Sequence, residues 1–243
     1  MITCKSKKIA SSVADLVFPP VCPLCGNVYH NESSLFCSDC MAHFSFISSP
    51  FCHICGRPFM STEGTSHICS SCILSPPPYS HARALGHYDG ALLDAIHFFK
   101  YRGDMRTGEK LGAYIAAWAY DTQDYTGYDY VIPVPLHRKR LRERGFNQSV
   151  ILAKQVAKKL SLQLDIGTLV KKIDSRPQVG LGRKHRKRNI KGVFAVVSDK
   201  KIDGKRLLLV DDVFTTGSTV GECSRLLIRH GAEEVAVLTL ART

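Results

Sequence analysis

Two adjacent carboxylates, Asp211 and Asp212, close an aliphatic run in the segment LLLVDDVFTTGSTV, residues 207–220. The polar residues Thr215, Thr216, Gly217, Ser218 and Thr219 follow almost at once. The pattern reads as a buried strand, acids at its carboxyl end, and the start of a helix. Open α/β sheets bind ligands at that end of their strands. A helix start, with its free N–H groups, its dipole and nearby hydroxyls, cradles a phosphate. The carboxylates repel a phosphate and suit sugar hydroxyls or Mg2+. The ligand called for carries a phosphate close to a diol, as a ribose 5-phosphate does. A Walker A loop is excluded, because no GK[ST] triplet is present. A receiver domain is excluded too. Its acidic pair opens the domain, whereas only 31 residues follow Asp212 here, with neither Lys nor a further Asp.

A second chemistry lies near the other end. Of the ten cysteines, eight fall between residues 22 and 72 as four CxxC pairs: Cys22/Cys25, Cys37/Cys40, Cys52/Cys55 and Cys69/Cys72. The halves CPLCG…FCSDC and CHICG…ICSSC repeat one another. Each half supplies four soft ligands on two tight knuckles, which is what tetrahedral Zn2+ takes. Gly26 and Gly56 let the first knuckle of each half turn. The repeat points to two sequential structural zinc sites; a cross-braced pairing, an iron–sulfur cluster and disulfides are the alternatives. His30, His43, His53 and His67 lie nearby and are expected at the surface, since each site already has four thiolates.

The chain has 243 residues, room for one sizeable domain and a small one. Its formal charge is +12. Two Zn(Cys)4 centres at −2 each lower this to about +8, still a balance that favours a polyanionic partner. No apolar run approaches the ~18–20 residues of a membrane span. Residues 1–20 read as a short amphipathic helical segment and not a signal peptide, so the cytoplasm is the expected location.

The elements that must position these groups divide near residue 80. Residues 21–75 form the expected double zinc ribbon, and the proline segment ILSPPPYS reads as a stiff linker. Residues 81–243 alternate helices (91–101, 108–121, 149–162, 218–232) with strands (130–136, 192–197, 206–210 and a last one through EVAVLTLA). That alternation predicts an α/β domain with an open, mostly parallel sheet.

The segment 207–220 is similar to the 5-phosphoribosyl-1-pyrophosphate (PRPP) signature of type I phosphoribosyltransferases. The resemblance implies that Asp211 and Asp212 hold the ribose 2′ and 3′ hydroxyls. It also implies that Thr215, Thr216, Gly217, Ser218 and Thr219 hold the 5′-phosphate, with Mg2+ accompanying PRPP. VIPVPLHRKRLRERGFNQS (131–149), the early FPPVCPLCG, FKYRGD around Lys100 and RPQVGLGRKHRKRNIKGVF (176–194) resemble the ComF (ComFC/GntX) family of competence proteins. Eight cysteines fit the double-ribbon form of that family.

Two basic runs then take on a role. HRKRLRER (137–144) carries five Lys/Arg against one Glu, where the resemblance places a pyrophosphate loop. Arg142 and Arg144 can pair with pyrophosphate oxygens bidentately. Asn147 and Gln148 open the next helix, where their amides can cap it or reach the ligand. RKHRKRNIK (183–191) carries six Lys/Arg, in the region of a mobile loop or a nucleic-acid track. Phe146 and Phe194 are single and expected to be packed, so phosphate contact is supported and base stacking is not. Lys100 either reaches the site or snorkels. The resemblance implies a PRPP-binding protein handling incoming single-stranded DNA in natural transformation. The alternatives are an active phosphoribosyltransferase acting on a nitrogen acceptor, for which no acceptor motif is visible, and an adaptor that docks a helicase or other DNA-uptake protein.

Overall fold

The computed structural model describes residues 21–29, 36–60, 64–123, 125–173 and 192–243. The expected N-terminal segment 1–20, His30 and the basic run 183–191 lie outside the described residues. In chain order the elements are α1 (Ser38–Ala42), α2 (Ser70–Leu74), β1 (Ala82–His87), α3 (Gly90–Arg102), α4 (Met105–Thr122), β2 (Tyr130–Pro133), α5 (Arg138–Arg144) and α6 (Gln148–Leu160). There follow β3 (Gln163–Leu164), β4 (Leu169–Lys171), β5 (Phe194–Val196), β6 (Arg206–Phe214), α7 (Ser218–Arg229) and β7 (Glu234–Arg242).

Five strands form one parallel sheet in the order β1-β7-β6-β2-β3. The centre is the aliphatic pair β6 and β7, covered on both faces, as such continuous runs require. Period-two alternation divides them. Leu208 and Val210 join Leu92, Ile96, Phe99, Leu111, Ile115 and Leu152 from α3, α4 and α6 in one core. Leu207 and Leu209 join Val220, Cys223 and Leu227 of α7 in the other.

Helices foreseen from periodicity are present, with shifted ends. α4 starts at Met105 because Asp104 caps it, accepting from Arg106 N at 3.1 Å and from Thr107 Oγ1 at 2.6 Å. β1 escapes a pattern reading, because ARALGH lacks β-branched residues; pairing with β7 makes it a strand. Residues 194–196 are a strand but do not join the main sheet. They pair antiparallel with Leu169–Lys171 as a separate ribbon. HRKRLRER, read as a loop, is a helix instead, capped by His137 Nδ1 on Lys139 N and stopped by Gly145 at φ 82. Strand β6 runs past residue 210 to Phe214, since β7 pairs alongside it as far as Phe214↔Arg242. The two acids therefore lie within the last part of the strand.

The cysteine segments dock on the sheet. Phe36 and Phe44 of the first half are buried in the same core as α3 and α4. Its chain runs beside β1, with Ile47 N to Leu85 O at 3.0 Å and His87 N to Ser45 O at 2.8 Å. That covers an edge which would otherwise offer unpaired backbone groups. The second half is held by Ala82 N to Ile54 O at 2.7 Å. No described helix is long and apolar enough to cross a membrane.

Candidate functional site

Asp211 and Asp212 are adjacent on a strand, so their side chains leave on opposite faces and find different partners. Ser149, in the first turn of α6, donates its Oγ to Asp211 Oδ1 at 2.9 Å, and Asp212 N donates to the same oxygen at 3.0 Å. Lys100 Nζ, near the end of α3, lies 2.8 Å from Asp212 Oδ2, with both side chains about five-sixths buried. Burial and the neighbouring charge of Asp212 push the Asp211 carboxyl up to about 7, against the pull of Ser149, the Asp212 N–H and Lys100. Burial works to lower the Lys100 ammonium, but Asp212 outweighs it and the net shift is upward. Two acids thus share one cation, and near neutrality Asp211 can accept from or donate to a sugar hydroxyl.

Past Phe214 the chain turns into α7. Thr216 Oγ1 and Ser218 Oγ are 2.8 Å apart, and Ser218 N reaches Thr216 Oγ1 at 3.4 Å. Among the described residues α7 has no side-chain cap and no acid in its first turn. Apart from Ser218 N, which Thr216 Oγ1 meets, the N–H groups of its first turn and its dipole are left for an outside anion. Gly217 sits at the N-cap with φ 72. A Cβ there would stand 2.6 Å from Phe214 Cζ. Phe214 cannot give way easily: the Arg242 guanidinium lies 4.6 Å above its ring and Tyr79 meets its edge at 6.3 Å. Arg242 is itself buried and donates through Nη1 to Cys55 O of the second cysteine quartet. The loop, the end of β7 and the Cys52/Cys55 knuckle form one packed column.

A cleft of about 310 Å3 opens on the Lys100 side. Among the described residues Lys100, Arg102, Arg140 and Arg144 line it against a single acid, Glu143, with Tyr101 under the Arg144 guanidinium at 5.7 Å. Arg140 and Arg144 are four apart and share a face of α5. Arg142, paired with Arg144 from the sequence, is not among the residues lining this cleft; a helix in place of a loop turns it aside. A sequence reading did not single out Ser149 or Arg102, and took Arg140 only as one of the basic run 137–144. The i,i+4 spacing of Arg140 and Arg144 carried a signal; the reach of Ser149 to Asp211 spans 62 residues and carried none. Asn147 caps α6 as expected, accepting from Ser149 N at 3.1 Å. Phe146 is packed, stacked on Phe99 at 5.5 Å.

The cysteines gather as Cys22, Cys25, Cys37 and Cys40, and as Cys52, Cys55, Cys69 and Cys72, with each set of Sγ atoms mutually within 4.8 Å. A tetrahedron of ~2.3 Å Zn–S bonds has edges of about 3.8 Å. Cys25 and Cys37 Sγ stand 3.5 Å apart, and Cys55 and Cys69 Sγ 3.8 Å. Burial works to raise the Cys52 thiol, yet the backbone N–H groups of Cys69, Cys55 and Ile54 bring it down to about 6, ready to ligate as a thiolate. The donors fit zinc, in sequential and not cross-braced pairing. His43, His53 and His67 lie exposed outside both sets, as expected.

Known families agree with both halves. Residues 13–73 match the double zinc ribbon domain and residues 147–243 the phosphoribosyl transferase domain. The chain therefore has two Cys4 zinc-binding sites and a phosphoribosyltransferase-like α/β fold. It is similar to "Competence protein F" of Haemophilus influenzae, 32% identical across 91% of this chain and 96% of that one. It is equally similar to "DNA utilization protein YhgH" of Escherichia coli strain K12, 32% identical across 94% and 99%. "Competence protein ComFC" of Streptococcus pneumoniae is 28% identical across 87% and 90%. With identity at that level sustained over nearly the full length of both partners, this chain belongs to the ComF family of competence proteins.

Proposed function

We propose that this protein binds PRPP and handles single-stranded DNA entering the cell in natural transformation. One observation carries the first part. Three receptors adjoin one another at the carboxyl end of the central strand β6: the start of α7, the acid pair, and, through Lys100, the cationic cleft of Lys100, Arg102, Arg140 and Arg144. PRPP presents a 5′-phosphate, a diol and a pyrophosphate in that order. Asp211 and Asp212 take the ribose hydroxyls; Thr215, Thr216, Gly217, Ser218 and Thr219 take the 5′-phosphate; Arg144 with Arg140 takes the pyrophosphate. Lys100 already occupies Asp212 Oδ2, so Mg2+ enters with the phosphates of the ligand and keeps most of its other ligands as water and phosphate oxygen.

The names of the relatives and the exposed basic run 138–144 support the second part, in a cytoplasmic setting. Residues 21–75 and 81–243 act as the ribbon and ligand-binding divisions. Calorimetry with PRPP and Mg2+ tests the reading. Wild type is expected to bind, and D211A/D212A to lose binding while keeping its fold. Unchanged affinity in the double variant refutes the site. A pyrophosphate-release assay with candidate bases in the same samples separates turnover from binding.

A further inference from the structure

The start of α7 faces more than the acid pair. A second cavity, about 410 Å3, begins at Thr215, Thr216, Gly217 and Ser218 and runs to the second cysteine quartet. Its volume is that of a small-ligand site. Among the described residues three guanidinium groups from three separate segments line it: Arg57 beside the Cys52/Cys55 knuckle, Arg225 on α7 and Arg242 at the end of β7. The one acid among the described lining residues, Glu222, is taken by Arg225. Arg57 has no acid partner among the described residues and lies near enough to Arg242 to help depress it, though burial is the larger cause. Among the described residues the Nε of buried Arg242 has no hydrogen-bond partner. Pro76, Pro77 and Pro78 give it an apolar stretch of wall. A cavity of this make-up suits a group that is anionic at one side and planar at the other.

PRPP does not account for it. The 5′-phosphate of PRPP is a terminal monoester, and nothing of the molecule extends past it. Arg225 is seven residues beyond Ser218, about 10 Å farther along the α7 axis, and helical side chains lean back toward the N-terminus. Its charge falls where the next backbone phosphate of a strand would lie. A phosphate carrying a second ester would leave its own oxygens on the loop and continue into the cavity. The acids add a polarity. They accept from free sugar hydroxyls, and an internal nucleotide has its 3′ oxygen esterified.

We propose that this site captures the 3′ end of a single-stranded nucleic acid. The terminal sugar lies on Asp211 and Asp212 and its 5′-phosphate on the start of α7. The preceding nucleotide enters the cavity, with its phosphate on Arg57 and Arg225 and its base against the prolines. The inference rests on the sugar-phosphate site proposed above and gives that site its macromolecular ligand. PRPP and a strand end then compete for one place.

Fluorescence anisotropy with a 5′-labelled oligothymidylate tests it, using one oligonucleotide ending in a 3′-hydroxyl and the same one ending in a 3′-phosphate. Wild type is expected to bind the hydroxyl end at least tenfold more tightly. PRPP should displace it. R57E/R225E should lose that preference and at least tenfold in affinity for the hydroxyl end, while its PRPP affinity stays within twofold. Zinc content and Tm check its fold, and R225E alone, on an exposed helix position, serves if the double variant does not fold. Equal binding of the two ends by wild type overturns the proposal. So does a parallel loss of PRPP affinity in R57E/R225E, which would make the cavity part of the PRPP site. A 3′-end preference that PRPP does not displace, in a protein that binds no PRPP, refutes the PRPP reading and leaves strand-end capture standing.

Discussion

Replacing Gly217 by Ala tests the packed column beneath the phosphate loop. Residue 217 has φ 72, where an L-residue is strained by about 1–2 kcal/mol. Its new methyl would stand 2.6 Å from Phe214 Cζ and 3.1 Å from Cε1. The ring is buried and held by Arg242 above and Tyr79 at its edge, so it cannot swing away freely. Overpacking of that kind adds about 1–3 kcal/mol. The total is about 2–5 kcal/mol, and the protein can meet it in two ways. If the loop keeps its shape, Tm falls by roughly 5–20 °C, at ~2–4 °C per kcal/mol for a chain of this size. If the loop rearranges, Tm falls less and PRPP affinity drops about 30-fold or more, since 1.4 kcal/mol is tenfold. Gly221 is the control. It lies inside α7, and a Cβ there meets only Pro78 Cδ at 4.0 Å. G221A should gain about 1 kcal/mol from helix propensity and bind PRPP as wild type does. Differential scanning fluorimetry and calorimetry on both variants decide the matter. G217A with Tm within 1 °C and PRPP affinity within twofold of wild type refutes the column.

Metal analysis should give two zinc ions per chain, and one equivalent, or iron, would sink the two-site reading. Because Phe36 and Phe44 lie in the main core, a C25S change at the first site should lower the Tm of the whole protein and not of a detached segment alone. The pH dependence follows from Asp211, whose carboxyl is raised from 3.8 to about 7 on folding. Between those values the folded state holds a proton the unfolded state has lost, so stability falls as pH rises from about 4 to 7, by up to about 1.4 kcal/mol per unit. D211N should remove that slope in urea titrations at several pH values, and an identical slope in both proteins would count against the assignment. Reversing Arg138, Lys139 and Arg140 to Glu should weaken single-strand binding for every sequence alike, because phosphate contacts carry no base information. If all three touch phosphates, the slope of log K against log[salt] should become shallower by roughly 2. Full affinity in that variant would move the contact elsewhere.

Much of the chemistry was legible from local pattern, because local geometry decides it. A CxxC knuckle brings two thiols together over four residues, so the four pairs and their tandem repeat could be read before any fold, while the folded chain chose sequential over cross-braced pairing. The acid pair and the uncapped polar helix start are likewise a strand end and its next turn. What tertiary packing alone decided is everything that spans distance. Lys100 meets Asp212 across more than a hundred residues, and Ser149 reaches Asp211 across 62. Helix phase, and not the count of arginines, brings Arg140 with Arg144 to the cleft and leaves Arg142 aside. β1 has no strand signature of its own and exists because β7 pairs with it. The union of the cysteine half with the ligand half is tertiary as well. Arg242 ties Cys55 to Phe214 and so to Gly217, a contact between segments nearly two hundred positions apart that no spacing rule encodes. Residue types set which groups could ligate, accept or carry charge, and long-range burial of β6 and β7 chose which of them stand together.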